Sequence, residues 1–267
     1  MNILITGATD GIGKQTALEL AQLGHTLFIH GRNNERLAET KEWILSQVPE
    51  ATIETFKADF ASLEQVKNLA TNFLSKGKPL DILINNAGVF EKQLGYSEDG
   101  FERTFAINYL APFYLTLLLL PHLKTQPFAK IINIASDAQA YSIDFKVLNA
   151  EKGYNAYNAY ELSKLGNILF TFKLARELNE KSITVNALHP GVISTKILHD
   201  GWGMGGGSWH SGAATSVFLA TSSASNHSTG NYYVNKQKAK ASPAAYLLEN
   251  QDKLWEISLK MCEINLK

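Results

Sequence analysis

At 267 residues the chain is long for one domain but ordinary for a single α/β domain, with enough material for a sizeable core. Its 25 basic and 25 acidic side chains balance, so no global field draws it to nucleic acid or an anionic membrane surface. The one cysteine, Cys262, excludes an intrachain disulfide and suits a reducing compartment.

Met1-Asn2 leads directly into Ile3-Leu4-Ile5, without a charged leader or cleavable apolar segment, and a cytoplasmic location is the expectation. Further short apolar runs follow at Leu27-Phe28-Ile29, Ile82-Leu83-Ile84, Ile131-Ile132 with Ile134, and Ile183 with Val185, and helix-patterned segments separate most of them. Runs that are apolar throughout, rather than alternating, mark strands covered on both faces. Strand-helix alternation then implies right-handed crossovers into a doubly wound parallel sheet with helices on both faces. No repeat or linker divides the chain, so residues 1–267 are expected to form a single domain. The most apolar stretch, Phe113 to Leu120 between Pro112 and Pro121, falls short of the roughly 20 residues needed to span a bilayer. It reads as a buried helix, and no transmembrane segment is expected.

Between the first strand and the next helical pattern lies Thr6-Gly7-Ala8-Thr9-Asp10-Gly11-Ile12-Gly13. Glycines placed there allow a tight turn and bring a pyrophosphate close to the free amides of a helix N-terminus. Thr6, Gly7, Thr9, Asp10, Gly11, Ile12 and Gly13 are therefore candidate cofactor contacts. The spacing is longer than G-x-G-x-x-G. After the second strand, where a carboxylate would take the ribose 2′-hydroxyl of NAD, stands His30-Gly31-Arg32-Asn33. The acid is missing, and Arg32, with Asn33 beside it, can offer a planar charged fork to the 2′-phosphate of NADP. The alternative is an arginine opening the next helix with only solvent contacts. Asp59 with Phe60, and Asn86 with Ala87 and Gly88, fall at C-terminal strand ends, where such sheets bind ligands.

Tyr160-Glu161-Leu162-Ser163-Lys164 begins a long amphipathic helical pattern, which puts the phenol and the ammonium on one face. A neighbouring positive charge favours phenolate and lowers a tyrosine pKa, making it a usable acid or base. By itself the pair also fits a boundary tyrosine beside a solvated lysine.

Taken with Asn108, Ser136, and Pro190-Gly191 with Ile193 and Thr195, these motifs resemble the short-chain dehydrogenase/reductase family in order along nearly the whole chain, and its retinol-dehydrogenase and WW-domain-oxidoreductase branch in particular. The resemblance implies a Rossmann-type fold and a nicotinamide cofactor, with Asn108, Ser136, Tyr160 and Lys164 as the catalytic set. It makes Tyr160 the proton donor to a carbonyl or acceptor from an alcohol, Ser136 a hydrogen-bond partner of the substrate oxygen, and Lys164 a partner of the nicotinamide ribose. Asn108 would fix a water near Lys164, Asp59 would meet the adenine amino group, and Pro190, Gly191 and Thr195 would border the carboxamide. The seven histidines show no metal-ligand spacing, and no metal is expected.

Segments 137–157 and 194–211 are expected to form the substrate pocket, the latter as a glycine-rich lid, and their aromatics suit an apolar ligand. They equally suit packing of loops onto the sheet. No N-terminal membrane anchor is expected, and this together with the short second segment departs from retinol dehydrogenases and argues against a retinoid substrate. The expected function is an oxidoreductase using NADP(H) in preference to NAD(H) on a carbonyl or alcohol of a lipophilic small molecule. A dinucleotide-sensing scaffold and an epimerase or dehydratase are the rivals. Family members pair through two long helices, here 101–120 and 156–178, so a homo-oligomer is expected.

Overall fold

The structure, a computed structural model, describes residues 1–146, 148–149, 153–178 and 182–264. In chain order its elements are β1 (Asn2–Ile5), α1 (Gly11–Gln22), β2 (Thr26–Gly31), α2 (Asn34–Leu45), β3 (Ile53–Lys57), α3 (Leu63–Ser75) and β4 (Ile82–Asn85). A short α4 (Arg103–Phe105) runs through a π-helical turn (Ala106–Leu110) into α5 (Ala111–Leu123). Then come β5 (Ala129–Ile134), α6 (Ala156–Leu178), β6 (Ile183–His189), α7 (Lys196–Trp202), α8 (Trp209–Thr221), β7 (Asn231–Val234), β8 (Gln237–Ala239) and α9 (Leu248–Met261).

The strands form one sheet in the order β3-β2-β1-β4-β5-β6-β7-β8. All pairs are parallel except β7 with β8, an antiparallel hairpin turned by Asn235 and Lys236, both at positive φ. The doubly wound α/β expectation is met, with this last strand as the departure from an all-parallel sheet. Side-chain alternation explains the continuous apolar runs. Ile3, Ile5, Leu27 and Ile29 face a core shared with α1, α2 and α8, whereas Leu4 and Phe28 between them face a core shared with α3, α5, α6 and α9. Strand order reverses between β1 and β4, which opens a crevice above their C-terminal ends.

The helix expected over 101–120 begins at Arg103 and ends at Leu123, with Pro112 in the first turn of α5 and Pro121 near its end. By length and composition Arg103–Leu123 could cross a membrane, but 72% of its apolar window is buried inside the protein, as for a core helix. α9 packs on both this helix and α6. Trp255 of α9 packs against Phe113 and Phe170, at 5.2 and 6.1 Å between ring centroids.

Candidate active site

One cleft of about 1120 Å³ runs along the crevice from Arg32 to Trp202. The glycine loop forms one wall, and its geometry leaves no room for side chains. A Cβ on Gly7, which sits at φ +63, would lie 2.7 Å from the Cα of Ala87, and one on Gly13 would lie 2.3 Å from both Gly7 O and Asn86 Nδ2. Backbone cannot yield at those distances, so the loop stays bare where α1 presents its N-terminal amides. Asn86 Nδ2 donates to the carbonyls of Thr6 and Gly7, tying this loop to the end of β4. Thr6 is a brace rather than a lining residue: its buried Oγ1 accepts from the amides of Asn86 and Ala87.

The adenosine end of the cleft is bounded by Thr9, Asp10, Gly31, Arg32, Asp59 and Phe60. Asn33 does not line it, because its Oδ1 caps α2 by accepting from the amide of Arg36. Arg36 is the residue sequence reading missed. It lines the cleft beside Arg32, and its guanidinium bonds Asp10 at 3.0 Å. The signal was a second arginine in the first turn of the helix that follows Arg32.

His30 binds three segments together. Its Nδ1 accepts from Gly7 N at 3.2 Å, its Nε2 donates to Ala58 O at 3.0 Å, and its ring stacks on Phe60 at 4.2 Å. Burial lowers its pKa from 6.5 to about 4. Above pH 6.5 the ring is neutral folded or unfolded. Below it the unfolded chain takes a proton that the native ring refuses until about pH 4, so stability falls across that window, by about 2 kcal/mol between pH 7 and pH 5. Urea unfolding at both pH values should show His30→Gln losing correspondingly less than the parent; equal losses would remove the ring from the acid response.

The proposed catalytic side chains converge at the middle of the cleft. Ser136 lies just beyond β5, and Tyr160 and Lys164 lie one turn apart on α6. All three line the cleft although they are buried. The expected charge coupling needs correction. Lys164 Nζ donates to Ile134 O at 3.0 Å and stands 5.4 Å from the Tyr160 ring centroid. Burial dominates both groups, pushing Tyr160 up to about 12, opposed by a hydrogen bond from Ser136, and Lys164 down to about 8. At neutral pH the phenol keeps its proton, and the lysine is still largely an ammonium. Asn108 sits behind this group in the π-helical turn. Its amide accepts from Val89 N at 2.7 Å and donates to Val89 O and Ser163 Oγ, both at 3.0 Å. That side chain holds the β4 exit loop against α6, and it does not line the cleft. His189 lines the cleft, and its Nδ1 accepts the Asp137 amide at 3.2 Å.

On the substrate side, segment 194–211 is not one loop. It contains α7, and Gly206 and Gly207 pack tightly: a Cβ on Gly206 would lie 2.4 Å from Val192 O and one on Gly207 2.9 Å from Ser211 Oγ. Trp209 fastens the chain by donating to Ser194 O at 2.8 Å. Trp202 and Met204 do line the cleft, as do Pro190, Gly191, Ile193 and Thr195. From segment 137–157, whose residues 147 and 150–152 lie outside the described set, Asp137 and Ala138 contribute, while Tyr141 is 85% exposed and Phe145 packs on the core.

The family model for short chain dehydrogenase matches residues 1–202. The chain is a short-chain dehydrogenase/reductase. It is similar to retinol dehydrogenase 14 of Mus musculus, at 35% identity covering 98% of this chain and 86% of the relative, and falls in the retinol-dehydrogenase-like branch. A solved structure from Mycobacterium paratuberculosis superposes with a TM-score of 0.81 at 27% identity, covering 100% of this chain and 94% of the other. A short chain dehydrogenase from Shigella flexneri 2a strain 301, complexed with NADP, matches with a TM-score of 0.73 at 24% identity, covering 88% and 97%. The dehydrogenase fits a nicotinamide dinucleotide on its own geometry. The bare cradle at Gly7 and Gly13 adjoins the α1 N-terminus, and the cleft continues from there to Tyr160.

Proposed function

We propose that this dehydrogenase reduces the carbonyl group of a lipophilic small molecule, with NADPH preferred over NADH, in the cytoplasm and as a single domain. The observation that carries the reading is a buried, protonated phenol at one part of a cleft whose other end bears two arginines. The nicotinamide, when bound, supplies a hydride. Tyr160 gives its phenolic proton to the substrate oxygen, and Ser136 Oγ orients that oxygen by hydrogen bonding. Lys164 holds the nicotinamide ribose, Arg32 and Arg36 meet the 2′-phosphate, and Asp59 with Phe60 borders the adenine. Asn108 keeps the Gly88–Val89 wall in register with α6.

A screen of aldehydes, ketones and alcohols against NADPH and NADH, followed by nicotinamide absorbance, tests this. Turnover of carbonyls with NADPH is the expected result. Cofactor binding without any turnover would favour a dinucleotide sensor, and isomerised product without net cofactor consumption would favour an epimerase.

A further inference from the structure

Four rings cluster here, the proposed proton donor Tyr160 among them. Phe90, which follows the Asn86–Gly88 wall, lies 5.4 Å from Tyr157, 5.8 Å from Tyr160 and 5.4 Å from Trp202 between ring centroids. Trp202, at the end of α7, lies 5.5 Å from Tyr157 and 5.6 Å from Tyr160. The arrangement is built. Gly201 lets α7 approach Phe90, since an added Cβ would stand 3.3 Å from that ring, and the Tyr157 hydroxyl donates to Gly201 O. Phe90 and Trp202 both line the cleft. Among the charged groups that line this part of the cleft, Arg103 pairs with Glu91 at 3.1 Å and Lys92 with Asp200 at 3.6 Å.

We infer that Phe90 and Trp202 select the substrate, and that the class selected is an uncharged aryl aldehyde or ketone whose ring slides between them while its carbonyl reaches Tyr160 and Ser136. This rests on the carbonyl-reductase reading above. A group entering here separates rings that touch one another. A flat ring about 3.5 Å thick replaces each lost ring contact with a new one, whereas a puckered saturated ring of the same carbon count is thicker and offers no π-face. An ionised substituent there would compete with these ion pairs. In the reaction the aldehyde carbon gains hydride and its oxygen gains the Tyr160 proton, giving a primary alcohol while NADPH becomes NADP⁺.

The test is a matched pair, benzaldehyde against cyclohexanecarbaldehyde, with NADPH as cofactor. Conjugation makes benzaldehyde the weaker electrophile, so uncatalysed reactivity runs against the predicted preference. The parent enzyme should favour benzaldehyde about tenfold in kcat/KM, and Trp202→Leu should bring the ratio to about one. Phe90→Leu should do the same, and it carries the test should the first variant fail to fold, with NADPH fluorescence confirming an intact cofactor site in each. A parent ratio at or below one, or a ratio unchanged in both variants, would overturn the inference and leave the reductase reading intact. No turnover of any carbonyl with either cofactor would overturn both.

Discussion

Tyr160→Phe should lower kcat for carbonyl reduction by about 10²- to 10⁴-fold, the usual worth of a positioned general acid. The substitution removes one hydroxyl from a ring 7% exposed and leaves the glycine loop, Arg32 and Lys164 untouched, so NADPH affinity should stay within about twofold. Stopped assays of reduction together with fluorescence titration of NADPH separate the two quantities. An unchanged rate would strip Tyr160 of its role. The parent enzyme carries a pH signature of the same group. With the phenol held near 12 by burial, reduction should be level through neutrality, while alcohol oxidation, which needs phenolate, should climb about tenfold per pH unit on the alkaline side.

Arg32→Ala should raise the KM for NADPH by about 10- to 100-fold, the worth of roughly 1.5–3 kcal/mol for a hydrogen bond to a charged group. NADH lacks the 2′-phosphate, so its KM should move by no more than about twofold. The loss should sit toward the lower end of that range for two reasons. Arg36 remains beside the same part of the cleft, held by Asp10, and Arg32 is exposed to solvent that screens it. Steady-state kinetics with both cofactors decide the matter, and equal losses for the two would remove Arg32 from cofactor discrimination.

The parts of this molecule readable from sequence are those where local chemistry and tertiary role coincide. A strand covered on both faces must be apolar at every position, so Ile3-Leu4-Ile5 and Leu27-Phe28-Ile29 announce themselves before any partner is known. The glycine loop is legible for a similar reason, because its bareness is a property of the residues themselves. Tyr160 and Lys164 share a face of α6, which ran over the expected Ala156–Leu178. Their mutual electrostatics were not readable, because burial opposes and outweighs the attraction that spacing suggests. Phe90 gave no signal, since its importance comes from α7, more than a hundred residues later, and α7 itself was hidden in a stretch whose glycines read as loop. The same holds for His30, whose partners Gly7 and Ala58 belong to two other segments.

In the π-helical turn, neighbouring residues serve opposite sides of the molecule. Asn108 reaches Val89 and Ser163, while Tyr109 fills the space left by Gly166 and joins its hydroxyl to Ser258 Oγ of α9 at 2.7 Å. The last helix is thereby part of the foundation of the catalytic wall, two residues removed from the cleft. A change at Ser258 should therefore be felt at the wall behind Val89 as well as in the core that Trp255 fills.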